Sequence, residues 1–167
     1  MKIKGSFITN SSSSSFIVVF PFEIKSRKEV EKFIDPKYSS TVFIDIKDQQ
    51  PLRKSDSWCL DRIREEIASG YMEEADYHKT ITKFCEREGV TTKDIVDNPS
   101  WWRQFNKELN YKKNYHSFKK ANKFLEKVDD KDYIYTFEYS DDDGDYFSEM
   151  EHGAIFRLLT YIRINKH

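Results

Sequence analysis

The chain has little cysteine, no long apolar run and almost no net charge, and each shortage removes a class of protein. Its two cysteines, Cys59 and Cys85, sit in helix-like segments with neither CxxC nor His spacing. That pattern argues against a structural zinc and predicts two buried free thiols. No apolar run approaches the roughly 20 residues of a spanning helix, and Met1 to Ser15 lacks the apolar stretch of a signal peptide. The expectation is a cytoplasmic protein without membrane contact, in the host cytoplasm if the chain is phage-encoded. A formal net charge of -1 with 34% charged residues excludes a generally basic nucleic-acid binder but not a local patch. There is no internal repeat, no G-x-S-x-G elbow to turn a serine into a nucleophile, and no motif that demands a cofactor.

What is present is aromatic. In 167 residues, hydrophobic side chains make up 38% and Phe, Trp and Tyr 16%, so aromatic rings must supply much of the core volume. A chain of this length fits one domain, residues 1–167, and buries roughly two-thirds of the surface its unfolded form exposes.

The most informative stretch runs from Asn10 to Phe20, where five serines lead directly into Phe16-Ile17-Val18-Val19-Phe20. A continuous apolar run of this kind predicts a strand buried on both faces, limited by Pro21. Met1 to Phe7 alternates weakly and could add an edge strand. Ser26 and Glu29 form a capping-box pattern that starts a helix carrying Val30, Phe33 and Ile34, and Asp35-Pro36 ends it. Thr41 to Ile46 reads as a second strand, so residues 1–50 suggest a β-α-β unit with parallel pairing. Residues 55–128 read as a helical block. One apolar stripe joins Trp58, Leu60, Ile63 and Ile67, another joins Tyr77, Ile81, Phe84 and Cys85, and Gly70 and Gly89 act as stops. Asn98-Pro99 starts a third segment in which Trp101, Trp102, Phe105 and Leu109 lie on one side, and Tyr111, Tyr115, Phe118, Ala121, Leu125 and Val128 lie roughly opposite. This predicts either two helices divided near Asn110 or one long helix between two different partners. Tyr133 to Tyr139 and Leu158 to Ile164 complete the strands within 132–167, separated by an acidic turn and a short loop or helix.

Three stretches carry candidate chemistry. Between the last two strands, Asp141, Asp143, Asp145, Glu149, Glu151 and His152 set hard oxygen ligands beside an imidazole, which could hold a divalent metal ion. His167 could return nearby. The calcium-loop template fails, because Tyr139 and Met150 would occupy ligand positions, and a solvated acidic turn accounts for the same residues. From Trp101 to Val128 there are eight Lys or Arg against two acids, whereas Asp129 to His152 holds ten acids and one Lys. Lys112, Lys113, Lys119 and Lys120, interleaved with Tyr111, Tyr115 and Phe118, could track phosphates while the rings stack on bases. Those aromatics share a stripe with Leu125, however, which favours a core role and leaves the lysines as a solvated face or as partners of the acidic turn. Around Gly89-Val90-Thr91, Cys85 and Ile95 resemble a helix-turn-helix, but Asp94, Asp97 and Pro99 make a poor recognition helix, and an αα-hairpin fits better. Finally, Asn10 and Ser11, Ser12, Ser13, Ser14 and Ser15 could bind phosphate or a partner with backbone and hydroxyl groups, or could simply pack against the C-terminal strands.

The two ends also carry a resemblance. NSSSSSF together with D-x-D-G (Asp141, Asp143, Gly144), E-H-G (Glu151, His152, Gly153) and R-I-x-K-H (Arg163 to His167) resembles a group of uncharacterised phage and bacterial proteins. The resemblance implies a phage or prophage accessory protein and suggests that the two ends form one unit; it carries no activity.

The expected fold is therefore α+β, with a small mixed sheet of about four strands and a central helical block packed on it. The first functional expectation is an accessory protein that binds a host or phage macromolecule, with protein favoured over nucleic acid. The alternatives are a divalent-metal-dependent phosphoesterase using the acidic-His loop, with Asp141, Asp143, Glu151 and His152 as catalytic candidates, or a basic-helix nucleic-acid binder.

Overall fold

The computed structural model describes residues 13–70, 74–140, 145–151 and 154–166. Strand β1 (Ser13–Phe20) is followed by helices α1 (Arg27–Val30), α2 (Pro36–Lys47), α3 (Cys59–Ala68), α4 (Glu74–Glu88), α5 (Thr92–Asp97) and α6 (Pro99–Leu125). Then come β2 (Tyr133–Ser140), α7 (Asp145–Glu151), a 3-10 turn (Ala154–Phe156) and β3 (Thr160–Asn165). The fold is α+β, as its sequence pattern predicts, with three strands among the described residues rather than the four expected; the possible edge strand at Met1 to Phe7 lies outside them.

β1 is the middle strand of a sheet ordered β2-β1-β3, and both pairings are antiparallel. Phe16 sits opposite Phe137 on one side and Arg163 on the other. Every residue from Ser14 to Phe20 is buried, as a central strand covered on both faces requires. Phe16, Val18 and Phe20 enter one cluster with Tyr135, Phe137, Tyr139, Phe156 and the apolar sides of α1 and α2. Ile17 and Val19 point the other way, into Cys59, Ile63, Ala121, Phe124 and Val128. The first cluster is built on rings: Phe16 and Phe156 have centroids 5.3 Å apart, and Phe20 meets Tyr135 edge-on at 5.5 Å.

The parallel β-α-β unit is not formed. Thr41 to Ile46 lies inside α2, so the expected second strand is a helix. Two local effects override its β-branched content. The Asp35 carboxylate accepts from the Lys37 N–H at 2.8 Å with Pro36 at the first helical position, which starts a helix where the sequence reading placed only a stop. Ser39, Val42 and Ile46 then fall on one side at helical spacing and are the buried residues of α2. At α1, Ser26 caps Glu29 N–H as expected, but only four residues are helical. Trp58 is exposed at the start of α3, leaving Cys59 and Ile63 as the buried positions there.

α6 resolves the choice over residues 100–128 in favour of one helix of 27 residues with two partners. Its first half packs Phe105 against Phe84 of α4 and Ile95 of α5; its second half packs Ala121 and Phe124 against β1 and α3. Gly89 ends α4 at φ 67, with its N–H bonded to the Cys85 carbonyl at 2.9 Å. Gly70 follows the end of α3 as expected, with its N–H bonded to the Ile67 carbonyl at 3.1 Å, and a Cβ there would lie 2.6 Å from Ile164 Cγ2, so its bareness also lets the end of α3 approach β3. Among the described residues no helix is long and apolar enough to cross a membrane.

Candidate functional site

The serine strand and the end of the acidic segment meet. The Ser14 hydroxyl donates to Glu151 Oε1 at 2.9 Å, and Arg163 Nε donates to Ser14 Oγ at 3.1 Å. Arg163 also reaches the Glu151 backbone carbonyl at 3.1 Å and pairs with Glu151 Oε1 at 3.2 Å. β1 supplies the serine, the last residue of α7 the carboxylate and β3 the guanidinium, so the three sequence-distant segments are tied at one end of the sheet. Glu151 is 1% exposed. A carboxylate so enclosed, held by a charge-assisted pair and a hydroxyl, is suited to joining segments rather than to receiving a substrate.

The other serines have different surroundings. Ser13 Oγ donates to the Lys166 carbonyl at 3.5 Å, whereas Ser15 Oγ is buried and has no hydrogen-bond partner among the described residues. Alternation along the strand explains the split, because Ser14 faces the α7 side and Ser15 the α3 and α6 side. Asn10, Ser11, Ser12, Asp141, Asp143, His152 and His167 lie outside the described residues. Among the described residues no group of three His, Cys, Asp or Glu side chains could hold a metal ion. Glu151, the described residue among the expected ligands, is engaged by Arg163 and Ser14. Glu149 lies apart from it, accepting from Lys37 Nζ at 2.8 Å and from the Tyr38 hydroxyl. Those hydrogen bonds, Lys37's first, hold the Glu149 carboxyl below the ordinary glutamate range.

The surface of α6 departs most from expectation. Tyr111, Tyr115 and Phe118, read as core, are 71%, 56% and 47% exposed, and Trp102 is 44% exposed. At 100° per residue, the positions that do bury, Ser117, Ala121 and Phe124, lie roughly a third of a turn away from the tyrosines. Phe124, not the Tyr111 stripe, is the large side chain that fills the contact with the sheet. Trp102, Asn106, Asn110 and Tyr111 border a shallow trough along the helix, and Trp102 continues into a patch with Val96 and Pro99.

Lys112 and Lys119 lie within about a quarter turn of these rings, whereas Lys113 and Lys120 border a separate hollow against the end of α3. Lys112 and Lys113 are half-buried and Lys119 and Lys120 exposed, and none of the four forms an ion pair among the described residues. Glu108 is the only acid between Pro99 and Leu125, and it is bound by Arg87 of α4 at 2.6 Å. The Gly89 turn belongs to an ordinary helix packing: Ile95 is buried between α4 and α6, and the Thr91–Asp94 capping box fixes the start of α5.

Comparison with protein-family models, with curated proteins and with solved structures finds no match to this chain. The side chains themselves are therefore the basis for any functional reading.

Proposed function

We propose that this is a cytoplasmic, phage-like accessory protein that acts by binding an acidic surface of a protein partner through the outward side of α6. The observation that carries the reading is the exposure of Tyr111, Tyr115 and Phe118 on one side of a helix whose buried side is already filled by smaller or different residues. Large aromatic side chains left in water contribute little to folding, whereas Trp, Tyr and Arg are the residues that dominate binding energy at interfaces. Lys112 and Lys119 alongside them, which form no ion pair among the described residues, set the sign of the partner, since complementary charge steers encounter and selects against basic surfaces.

Chemical crosslinking in a lysate of the expressing cell, followed by mass spectrometry, tests this. The same partner should crosslink to the wild type and be lost with the Tyr111→Ala, Tyr115→Ala, Phe118→Ala triple variant, whose circular dichroism should be unchanged. Equal recovery with both proteins would overturn the reading.

A second reading, single-stranded nucleic acid, is favoured by one observation: the rings are exposed between lysines rather than buried, the arrangement on which bases stack. A mobility shift with oligo(dT) and oligo(U) that weakens steeply with salt would establish it in place of the protein partner.

A further inference from the structure

A cleft of about 620 Å³ lies between the turn that joins α1 to α2 and a wall formed by Glu149 of α7 with Ala154 to Leu158. It is on a different surface from the outward side of α6. Its volume falls within the roughly 300–1,000 Å³ range of clefts that take small organic ligands. Ile34 and Ile155 form a buried floor, Phe33 and Pro36 form one wall, and Leu158, 68% exposed, stands on the opposite wall. The rim is charged, but its charges are not equally satisfied. Glu31 is held by Arg27 at 3.2 Å, Asp35 by the Lys37 N–H at 2.8 Å, and Glu149 by Lys37 and Tyr38. Lys32 lies over the Phe22 ring, at 5.3 Å, and among the described residues neither Lys32 nor Arg157 has an anionic partner. The unmet requirement of the cleft is therefore an apolar body for the floor and a negative charge for the rim.

We propose that this cleft binds a medium-chain fatty-acid anion, with the chain along Ile34, Ile155 and Leu158 and the carboxylate between Lys32 and Arg157. A single negative charge suits the rim better than a phosphate dianion, because three fixed carboxylates stand nearby and, of the described lining residues, Lys32 and Arg157 are the two cations without an anionic partner among the described residues.

The test is a titration of the full chain, followed by amide NMR, with decanoate below its micelle concentration. Acetate, decan-1-ol, decyltrimethylammonium and an apolar tetrapeptide with a free C-terminus serve as comparisons. Decanoate should perturb Phe33, Ile155 and Leu158 first, acetate should not, and the cationic amphiphile should bind at least about ten-fold more weakly. Lys32→Ala and Arg157→Ala should each weaken decanoate roughly two- to five-fold, as exposed charge pairs do. Leu158→Asp should weaken it at least about ten-fold, and the Lys32→Ala, Arg157→Ala double variant decides the matter if Leu158→Asp does not fold. Equal binding of all three amphiphiles, perturbations centred elsewhere, no binding, or tighter binding of the peptide would each overturn the assignment. None of these outcomes touches the crosslinking result expected for α6.

Discussion

The sheet core and the outward side of α6 use the same residue types in opposite ways. Phe16, Phe20, Tyr135, Tyr139 and Phe156 are almost wholly enclosed and meet one another ring to ring, and the Tyr135 hydroxyl accepts from the Ile24 N–H at 3.1 Å. Tyr111, Tyr115 and Phe118 face solvent on the outward side of α6, away from its buried Ser117, Ala121 and Phe124. The contrast teaches that a high aromatic content is not by itself a measure of core. In this chain one set of rings fills the core and the other set is exposed along α6.

Substitutions can break or sharpen that contrast. The largest effect should follow Phe16→Ala, which empties a fully buried position between Tyr139, Phe156 and Tyr161 and should cost about 3–5 kcal/mol in urea unfolding. An effect under 1 kcal/mol would mean that the ring cluster is not the core. Arg163→Ala should come next, at about 3 kcal/mol, because it strips the guanidinium from a buried Glu151 carboxylate; the value is set at the low end because Arg163 itself is partly exposed. Ser15→Ala should go the other way, stabilising by up to about 1 kcal/mol, since its buried hydroxyl has no partner among the described residues to lose. Ser14→Ala, one residue along, should destabilise, and the opposite signs can be read from paired melts. Tyr111→Ala with Tyr115→Ala should change stability by less than about 0.5 kcal/mol while removing partner contact. A larger loss would move those rings into the core set.

The smallest effect concerns pH. The folded-state Glu149 carboxyl lies below its ordinary value, so its pairing with Lys37 and Tyr38 stabilises the protein above the unfolded glutamate pKa of about 4.3 and is lost as pH falls through the lowered folded value. A Glu149→Gln variant should therefore melt slightly below the wild type at neutral pH and coincide with it in acid. A gap that persists in acid would assign the effect to packing.

Local signals were legible where one chain segment determines its own state. The Phe16–Phe20 run, the Ser26, Asn98-Pro99 and Gly89 punctuation, and the alternation of Tyr133 to Tyr139 all lead to the elements they describe. Thr41 to Ile46 misleads because six residues fit either period, and because Asp35-Pro36 was read as ending one helix when it also begins the next. The stripe on α6 misleads more subtly. Its two halves do meet different partners, but Phe124 rather than the tyrosines faces the sheet, and the helical wheel alone does not say which part of a broad arc is covered. The Ser14, Glu151 and Arg163 triad is beyond such reasoning, since Ser14 and Glu151 are 137 positions apart and no spacing rule connects them. Only the motif-bearing ends suggested that they belong together.

β1 pairs with nothing close to it in the chain: Phe20 meets Tyr133, and Ser14 meets Asn165. During synthesis the apolar segment Phe16–Phe20 therefore emerges long before either of its neighbours exists, while α3 to α6 can already assemble around their own contacts. The order of assembly runs from the middle of the chain outward, with closure of the sheet as a late and slow step that a nascent-chain chaperone would be well placed to guard.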